Sequence, residues 1–482
     1  MNNPKKNFIY NSIYQILILI IPLITSPYLA RVIGVKGVGI YSYTYSIVNY
    51  FMLFTLLGVN NYGNRSIAKV RDNKEKLSKT FWGIYIFQFL MGVIMLTVYV
   101  GYILIFDNNY KMIAMIEILF LISSIMDINW FFFGIEEFKK TITRNTIVKV
   151  MNIILIFVFV KNSNDLWKYT LIMSSMTLIG QIILWSFLIK KIHFVRISYK
   201  DIIKHIKPNL ILFVPVIAIS LYKMMDKIML GLISDVTEVG YYENAEKIIN
   251  IPMSFITALG TIMLPRATNL MSKGSIEKVK QYISKSIGFV MFMSSAMCCG
   301  LIAIGYNFAP LFFGEEFQKT GTLIMLLSTT LIFLSFANVI RTQYLIPKEK
   351  DKIYITSVCL GAILNLIMNF IFIPICGSIG ACFGTIVAEF IVMFYQTLSI
   401  KNELPIHDYI KSIIPFIIKS LIMLTLIYPL NLININNILR IGIQIILGST
   451  IYGLLNLRYI LSIIDFKKFP FIRKYVFKDS VK

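Results

Sequence analysis

The sequence predicts an all-α polytopic membrane protein with about 14 transmembrane helices. Long apolar stretches follow one another from Phe8 to Leu461, and 57% of the residues are hydrophobic while only 15% are charged. Each stretch is close to the roughly 20 helical residues that cross a bilayer core about 30 Å thick. Basic residues are concentrated in every second connection between the stretches. Together these features exclude a soluble globular protein.

Each predicted helix is an apolar run that ends at polar or basic residues. The first run is not a cleaved signal peptide, because it is too long and ends in Pro27, Arg31 and Gly34 without a small-residue cleavage site. The longest outward connection, 307–319, has no room for an extracellular domain. The predicted spans are 8–33, 39–62, 81–106, 112–134, 142–160, 167–189, 208–233, 239–264, 283–306, 320–345, 353–374, 378–400, 409–430 and 438–460.

The positions of the basic residues predict which side of the membrane each connection faces. The formal net charge is +23. Roughly thirty-five Lys and Arg lie at the termini and alternate connections, and cytoplasmic loops carry such an excess. The opposite connections hold Lys36, Lys111, Lys161 and Lys319. We therefore expect a bacterial cytoplasmic (inner) membrane protein with both termini in the cytoplasm. This distribution accounts for the charge, so nucleic acid is not a predicted partner.

The residues that a membrane enzyme would need are missing from the predicted spans. The histidines His193, His205 and His407 all fall in inward connections, and the five cysteines lack the spacing of a metal site. The segment GEEFQKTGT at Gly314 lacks the Gly-Lys-Ser/Thr core of a phosphate-binding loop. We predict that the chain is not an enzyme and that it carries no metal or cofactor.

The two halves of the chain are similar at a constant offset of 201 residues. Eight of the 28 positions from 38 to 65 are identical to those from 239 to 266, including Gly39 with Gly240 and Arg65 with Arg266. Because six spans separate equivalent positions, the copies have the same orientation. Two parallel six-helix repeats would form two lobes around a central cavity. The predicted units are an N-terminal lobe (1–189), a cytoplasmic amphipathic linker (190–207), a C-terminal lobe (208–400), and two spans with a basic tail (401–482).

Ionisable residues recur deep within the spans, where each costs at least a few kcal/mol unless it faces water or a partner. Glu243, Glu246, Lys247 and Asn250 are spaced i, i+3, i+4, i+7 and share one helix face. Asn49 is the repeat equivalent of Asn250. A hydrophilic cavity between the lobes accounts for so many charges better than helix packing does. The other ionisable residues in the spans include Lys223, Asp226, Lys227, Glu117, Asp127, Lys149 and Glu389.

Single charges also have a purely structural interpretation. Lys227 with Glu243, or Asp127 with Lys149, would be neutral pairs that hold helices together. Arg31, at the outer end of the first span, would extend its side chain to the membrane surface. The sequence leaves these alternatives open.

Four segments resemble the oligosaccharide flippases of the Wzx type. They are the opening from Asn11 to Lys69, LFFGEEF, QYLIPKEKDK, and NFIFIPICGSIGACFGTIVAEF. These flippases share the multidrug/oligosaccharidyl-lipid/polysaccharide exporter superfamily with multidrug and toxin extruders and lipid II flippases. The resemblance covers residues 8–460. It implies a protein that moves an undecaprenyl-diphosphate-linked oligosaccharide from the inner to the outer leaflet by alternating access, for capsule, O-antigen or similar glycan assembly.

The resemblance also implies roles for individual residues. Arg31-Val32-Ile33-Gly34 is similar to an Arg-Val-Leu-Gly segment of lipid II flippases whose arginine contacts the head group, although Gly37-Val38 replaces their following Arg-Asp pair. The final two spans resemble a pair that forms a lipid-tail groove. The candidate substrate-binding residues are Arg31, Lys223, Lys227, Lys247, Asn49 and Asn250. The candidate cation-coupling or cavity acids are Glu117, Asp127, Asp226, Glu243, Glu246 and Glu389.

Several alternatives remain open at this point. Arg65 and Arg266, at the inner ends of equivalent spans, are either anchors of the positive-inside pattern or a cytoplasmic gate that contacts an anionic head group. A cation-coupled multidrug exporter of the same superfamily is the second candidate function, and a non-transporting scaffold for glycan synthesis is the third. The candidate partners are the lipid bilayer, the lipid-linked oligosaccharide, a polysaccharide polymerase and chain-length proteins. The sequence specifies neither the glycan nor the coupling ion.

Overall fold

A computed structural model describes residues 4–105 and 109–463. Within these ranges the side chains of 4–19, of Lys223, of several residues from 214 to 222, and of Ile463 are outside the description. The described residues form helices and no strand. The predicted all-α class is therefore confirmed. The predicted basic tail from 464 onward lies outside the described residues.

Long helices make up most of the described chain. Eleven segments are long and apolar enough to cross a membrane. α1 and α8, with 53 and 35 residues, are also long, and the exact number of 14 spans stays a prediction. The helices are α1 (Pro4–Leu56), α2 (Val59–Ala68), α3 (Lys74–Ile105), α4 (Lys111–Ile125), α5 (Asn129–Gly134), α6 (Phe138–Phe159), α7 (Leu166–Leu188), α8 (Tyr199–Ile233), α9 (Val236–Ser272), α10 (Ile276–Phe313), α11 (Gln318–Ser328), α12 (Thr330–Ile340), α13 (Asp351–Cys376), α14 (Ser378–Ser399), α15 (Ile406–Ile427), α16 (Asn437–Leu455) and α17 (Leu457–Ile463).

Apolar side chains cover the outer surface of the long helices. On α3, Leu90, Ile94 and Val98 are each about half exposed. Such continuous apolar surface would be costly in water, whereas lipid tails cover it at no cost, and a helix satisfies its own backbone hydrogen bonds in lipid. The chain is a multi-pass membrane protein.

The first two predicted spans are parts of one bent helix. α1 is helical throughout except at Gly34, where φ is 69° and ψ is 174°. Glycine adopts a positive φ at little cost because it has no Cβ. The break falls where the sequence predicts it, but a single residue replaces the predicted loop. The second span ends earlier than predicted, because Leu57 and Gly58 also have positive φ and α2 begins after them.

α1 and α9 cross at two glycines that are equivalent in the repeat. A Cβ on Gly39 would overlap the carbonyl oxygen of Val236, and a Cβ on Gly240 would overlap that of Val35. The two valines are separated by the same 201 residues as the two glycines. Small residues allow helix backbones to approach this closely. Two copies packed about a two-fold axis would make such a reciprocal contact, which we call the glycine crossing. The boundaries of the two lobes stay a prediction.

The predicted linker over 190–207 is helical only in part. Residues 192–198 have no regular structure, and α8 begins only at Tyr199 and then continues into the seventh span. The linker packs on the start of α3 instead. Trp82 Nε1 donates a 3.1 Å hydrogen bond to the carbonyl oxygen of His193, whose backbone N donates one of 3.2 Å to Ser78 Oγ.

Two other predicted spans, the fourth and the tenth, are interrupted. The thirteenth span continues through the first of its two prolines. The fourth span is divided into α4 and α5 around Asp127, and the tenth into α11 and α12, followed by a wider helical turn at Arg341–Leu345. α15 passes through Pro415 and ends before Pro429. The second proline therefore terminates the helix, and the first does not.

Candidate functional site

Four ionised side chains on α8 and α9, which we call the ion cluster, lie against α1. Lys227 Nζ is 2.6 Å from Glu243 Oε2 and 2.7 Å from Glu246 Oε2. Lys247 Nζ is 3.2 Å from Glu243 Oε1. Ser42 Oγ on α1 donates a 2.8 Å hydrogen bond to Glu243 Oε2. Two lysines and two glutamates neutralise one another, and this allows the charges to remain in apolar surroundings.

The repeat places the ion cluster at the junction of the two halves. Helical spacing puts Glu243, Glu246 and Lys247 on one face of α9, as predicted from the sequence. Ser42 and Glu243, which bond to each other, are equivalent positions of the repeat. The side chains of Lys227 and Lys247 remain 15% and 32% exposed. A ligand that entered between the halves could therefore compete with the glutamates for these lysines.

Asp226 on α8 has a separate set of partners and is 3% exposed. Its Oδ2 accepts hydrogen bonds from the Tyr242 hydroxyl at 2.7 Å and from Thr385 Oγ1 at 2.8 Å, and its Oδ1 accepts one from Asn369 Nδ2 at 2.5 Å. Three donors stabilise this buried carboxylate, and among the side chains that the structure describes it forms no ion pair. Asn369 is not among the residues predicted from the sequence, although its i, i+4 spacing with Asn365 in an apolar span was a usable signal. Within 4–105 and 109–463, no three His, Cys, Asp or Glu residues are grouped to hold a metal.

A polar cavity of about 400 Å³ adjoins Asp226. It lies within the second half, between α9, α12, α13 and α14, rather than between the halves. Asp226, Glu246 and Glu389 line it together with Arg341, and Asn250 lines it as predicted. Three acids, one arginine and several neutral polar groups therefore share this cavity with apolar side chains. The lysines of the ion cluster do not belong to its lining.

The acids of the first half lie apart from the ion cluster. Glu117 on α4 is fully buried, and its Oε1 accepts a 2.9 Å hydrogen bond from Thr44 Oγ1. Asp127 lies in the break between α4 and α5, where its Oδ1 accepts a 2.7 Å hydrogen bond from Asn129 Nδ2. Asn129 Oδ1 accepts a 2.6 Å hydrogen bond from Arg144 Nη2. These contacts join helices within the first half.

Of the three candidate arginines, Arg65 and Arg266 lie near helix ends, and Arg31 lies just before the bend of α1. Arg31 Nη2 donates a 2.6 Å hydrogen bond to the carbonyl oxygen of Leu311 near the end of α10. Arg65 lies in the last turn of α2. Arg266 lies near the end of α9, with its guanidinium 5.3 Å from the ring centre of Tyr282. The structure therefore does not bring any of them to the ion cluster.

Two other candidate residues are not part of the ion cluster as described. Asn49 on α1 is hydrogen-bonded to the neighbouring Tyr45. Lys223 belongs to α8, one turn before Lys227, but its side chain lies outside the described residues. Of the predicted substrate-binding residues, the structure brings together Lys227 and Lys247.

An apolar groove of about 660 Å³ lies on the other side of α9 from the polar cavity. α9 lines it with Ile248, Pro252 and Phe255, and α10, α15 and α16 form most of its remaining walls, together with Leu23 of α1 and Ile460 of α17. α16 is held on α10 by the Tyr452 hydroxyl, which donates a 2.9 Å hydrogen bond to the carbonyl oxygen of Phe292. α9 therefore separates a polar space from an apolar one.

The family of the chain is decided by its first 271 residues. Residues 5–271 match the family described as polysaccharide biosynthesis protein. The chain belongs to this family. The predicted membership of the Wzx-type flippases, within the multidrug/oligosaccharidyl-lipid/polysaccharide exporter superfamily, is confirmed.

Two relatives show how far the similarity extends. A putative O-antigen transporter of Escherichia coli K12 is 24% identical over 403 residues, which are 83% of this chain and 97% of the relative. A probable low-salt glycan biosynthesis flippase of Haloferax volcanii is 24% identical over 239 residues, 49% of this chain and 50% of the relative. Both are described as carriers rather than enzymes, in agreement with the prediction that this chain is not an enzyme.

Solved structures show the same fold at low sequence identity. The lipid II flippase MurJ in an inward closed conformation has a TM-score of 0.76 and 18% identity, covering 95% of this chain and all of that one. An inward-facing multidrug transporter of the MATE family has a TM-score of 0.60 and 13% identity, covering 82% of this chain and 99% of that one. The chain has the fold shared by these two proteins.

Proposed function

We propose that this protein moves an undecaprenyl-diphosphate-linked oligosaccharide from the inner to the outer leaflet of the bacterial cytoplasmic membrane. The observation that carries the proposal is the double role of α9, which has charged and polar groups on one side and an apolar groove of about 660 Å³ on the other. An amphiphile with an anionic polar head and a long hydrocarbon tail matches this arrangement. That the head carries a glycan is inferred from the family, which is described as polysaccharide biosynthesis protein.

The diphosphate binds the lysines of the ion cluster when the halves separate. In the closed arrangement Glu243 and Glu246 neutralise Lys227. A diphosphate offers several anionic oxygens and can replace both carboxylates as the partner of Lys227 and Lys247. The substrate then replaces the ion pairs that the lysines lose when the halves separate, so opening is linked to substrate binding.

The two halves alternate between states open to either side. The glycine crossing and the hydrogen bond from Arg31 to Leu311 join α1 to α9 and α10 at the end that we predict to be outward. Both contacts must separate before a head group can leave on that side. Alternating access therefore requires this close packing to form and break in each cycle.

Asp226 couples the cycle to a cation. It is a buried carboxylate surrounded by hydroxyl and amide groups, and oxygen ligands of this kind suit a proton or a hard metal cation. We expect Asp226→Asn to export glycan without dependence on a cation gradient, or not at all, while remaining in the membrane at normal abundance. Export by Asp226→Asn with the same gradient dependence as the parent would contradict this role.

Deletion of the gene tests the proposed function directly. Surface glycan should disappear, while the lipid-linked oligosaccharide accumulates on the inner leaflet. The measurements are surface glycan staining and extraction of lipid-linked oligosaccharide, with the plasmid-borne parent as the control. Normal surface glycan in a clean deletion without a second flippase would exclude glycan export as the function.

A cation-coupled multidrug exporter is the alternative. The predominance of acids in the polar cavity favours it, because cationic drugs would pair with Glu246 and Glu389. It predicts that the deletion strain becomes sensitive to cationic dyes and keeps its surface glycan. The two functions are thus distinguished in the same strain.

A further inference from the structure

A second cleft, which we call the cationic groove, lies between the ends of α9 and α10 that are joined by residues 273–275. Its volume is about 370 Å³. Arg266, Lys278 and Lys285 line it, and no acid is among the described residues of its lining. Among the residues that the structure describes, none of these three forms an ion pair with a carboxylate, whereas the neighbouring Lys280 pairs with Glu277. Three unneutralised cations therefore face one cleft.

The same place in the first half of the molecule is filled by the start of α8. The Tyr62 hydroxyl and His205 Nδ1 are 2.7 Å apart. A Cβ on Gly58 would lie 2.9 Å from the carbonyl oxygen of Asn209, and one on Gly83 would lie 3.0 Å from that of Asp201. α8 thus occupies the cleft between α2 and α3 along two turns and more.

The repeat shows that these two places correspond. At the offset of 201 residues, Gly58 is equivalent to Leu259 and Tyr62 to Met263, and both of the latter line the cationic groove. Counted from the first residues of α3 and α10, Gly83 and Lys285 take the same position. The cleft that α8 occupies in the first half therefore corresponds to the cationic groove in the second half. The groove is open, and it has Lys285 where the first half has Gly83.

Within the part of the chain that the structure describes, no segment fills the groove. α15, which follows the second repeat as α8 follows the first, packs on another face of α10, where the Tyr409 hydroxyl donates a 3.0 Å hydrogen bond to the carbonyl oxygen of Lys280. The sequence from 464 to 482 contains six Lys and Arg against two Asp, so the groove would repel it. The occupant should be anionic and partly apolar.

We propose that the cationic groove is a binding site for an anionic phospholipid of the leaflet at this end of the molecule. Its phosphate pairs with Arg266, Lys278 and Lys285, and an acyl chain follows Met263 and Phe289. Lys278 is in the first turn of α10, while Phe289 lies about three turns deeper. The charges are thus near the membrane surface and the apolar residues within the hydrocarbon, as in a lipid. The positive-inside pattern predicts that this is the inner leaflet, which is rich in anionic lipid. The site does not depend on which substrate is exported.

The test compares lipids and variants with the purified full-length protein in detergent. The probes are phosphatidylglycerol, phosphatidylcholine and inorganic phosphate, and the readouts are the bound lipid by native mass spectrometry and the lipid-dependent rise in melting temperature. We expect the double variant Lys278→Gln with Lys285→Gln to bind phosphatidylglycerol about thirtyfold more weakly, since it loses two charged contacts of roughly 1 kcal/mol each. Lys76→Gln is the matched control, because Lys76 has the same position on α3 as Lys278 on α10.

Each outcome supports or overturns the proposal. A selective loss of phosphatidylglycerol binding in the double variant, with parental melting temperature in detergent alone, supports it. Unchanged binding, equal binding of phosphatidylcholine, or an equal loss in Lys76→Gln overturns it. If inorganic phosphate raised the melting temperature as much as phosphatidylglycerol does, the groove would be a site for free anions and the proposal would be overturned. Stoichiometric displacement of phosphatidylglycerol by a polyprenyl diphosphate at tenfold lower concentration would assign the groove to the exported substrate.

Discussion

Lys227 is held by two glutamates, so a charge exchange can separate its two possible roles. If Lys227 binds the diphosphate, Lys227→Gln should reduce surface glycan about tenfold or more, since a hydrogen bond to a charged group contributes roughly 1.5–3 kcal/mol. The exchanged pair Lys227→Glu with Glu243→Lys should then stay inactive. The measurement is surface glycan at matched protein abundance. Lys168→Gln, which removes a half-buried lysine paired with Asp165, is the control.

Full activity of the exchanged pair would instead assign Lys227 a structural role. The sequence could place Glu243, Glu246 and Lys247 on one face because helical spacing is a local property. It could not show that Lys227 bridges two of them, or that the partner of Arg31 is a backbone carbonyl 280 residues away. Such partners depend on how distant helices pack.

His205, at the start of α8 where that helix packs between α2 and α3, should make the stability of the protein depend on pH. Burial and, to a lesser extent, the nearby Lys204 ammonium lower the pKa of the His205 imidazole to about 4, while Asp201 acts in the opposite direction. An unfolded histidine binds its proton near pH 6.5. The unfolded chain therefore takes up the proton first as the pH falls, and the stabilisation present above about pH 6.5 decreases towards pH 4.

We expect the melting temperature of the parent protein to fall between pH 7 and pH 5, and the fall to be smaller in His205→Gln. The reason is that glutamine removes the titrating group while keeping a polar side chain beside Tyr62. His407→Gln, at an exposed position, is the control. An identical pH profile for the parent and His205→Gln would contradict the prediction.

At the scale of elements, the glycine crossing should be sensitive to a single methyl group. Gly240→Ala and Gly39→Ala each place a Cβ against a backbone carbonyl, which cannot move aside as a side chain can. Overpacking of this kind costs roughly 1–3 kcal/mol. We expect a lower melting temperature and reduced glycan export in both variants.

Gly101→Ala and Gly442→Ala are the matched controls, because a Cβ at either position meets nothing within 4 Å. Alanine has the higher helix propensity, so these two variants should be unchanged or more stable. If Gly240→Ala behaved like Gly101→Ala, the close approach of α1 and α9 would not be needed in any state of the cycle.

The elements were predictable where one long apolar run forms one helix, as in α3 and α13. The prediction was less accurate where the backbone changes direction within a run. Gly34 bends α1 without a loop, and Asp127 divides the fourth span although the surrounding sequence is apolar. Apolar content sets the number of residues that enter the bilayer, whereas such breaks are set by single backbone conformations.

At the scale of the whole molecule, the sidedness can be checked along one helix. α10 has 38 residues, which span about 57 Å at 1.5 Å per residue. In a chain without its native cysteines, Glu315→Cys should react with an impermeant thiol reagent in intact cells, while Lys273→Cys should react only after permeabilisation. Labelling of Lys273→Cys in intact cells would invert the predicted topology.

The repeat in the sequence predicted two similar halves, and the reciprocal contact of Gly39 and Gly240 agrees with that prediction. The position of the polar cavity could not be predicted in the same way. The sequence places charges in both halves, but the cavity forms beside Asp226 and Glu389 in the second half. Side chains in the first half, such as Glu117, are instead enclosed by packing.

The double role of α9 has a consequence for the substitutions that this helix tolerates. Most membrane-spanning helices have one stripe that accepts any apolar residue, as α3 does at Leu90 and Ile94. From 246 to 257, α9 has no such stripe, because Glu246, Asn250 and Thr257 on one side must stay polar and the residues on the other side must stay apolar and leave a groove open. A saturation mutagenesis map of this segment would show constraint around its full circumference.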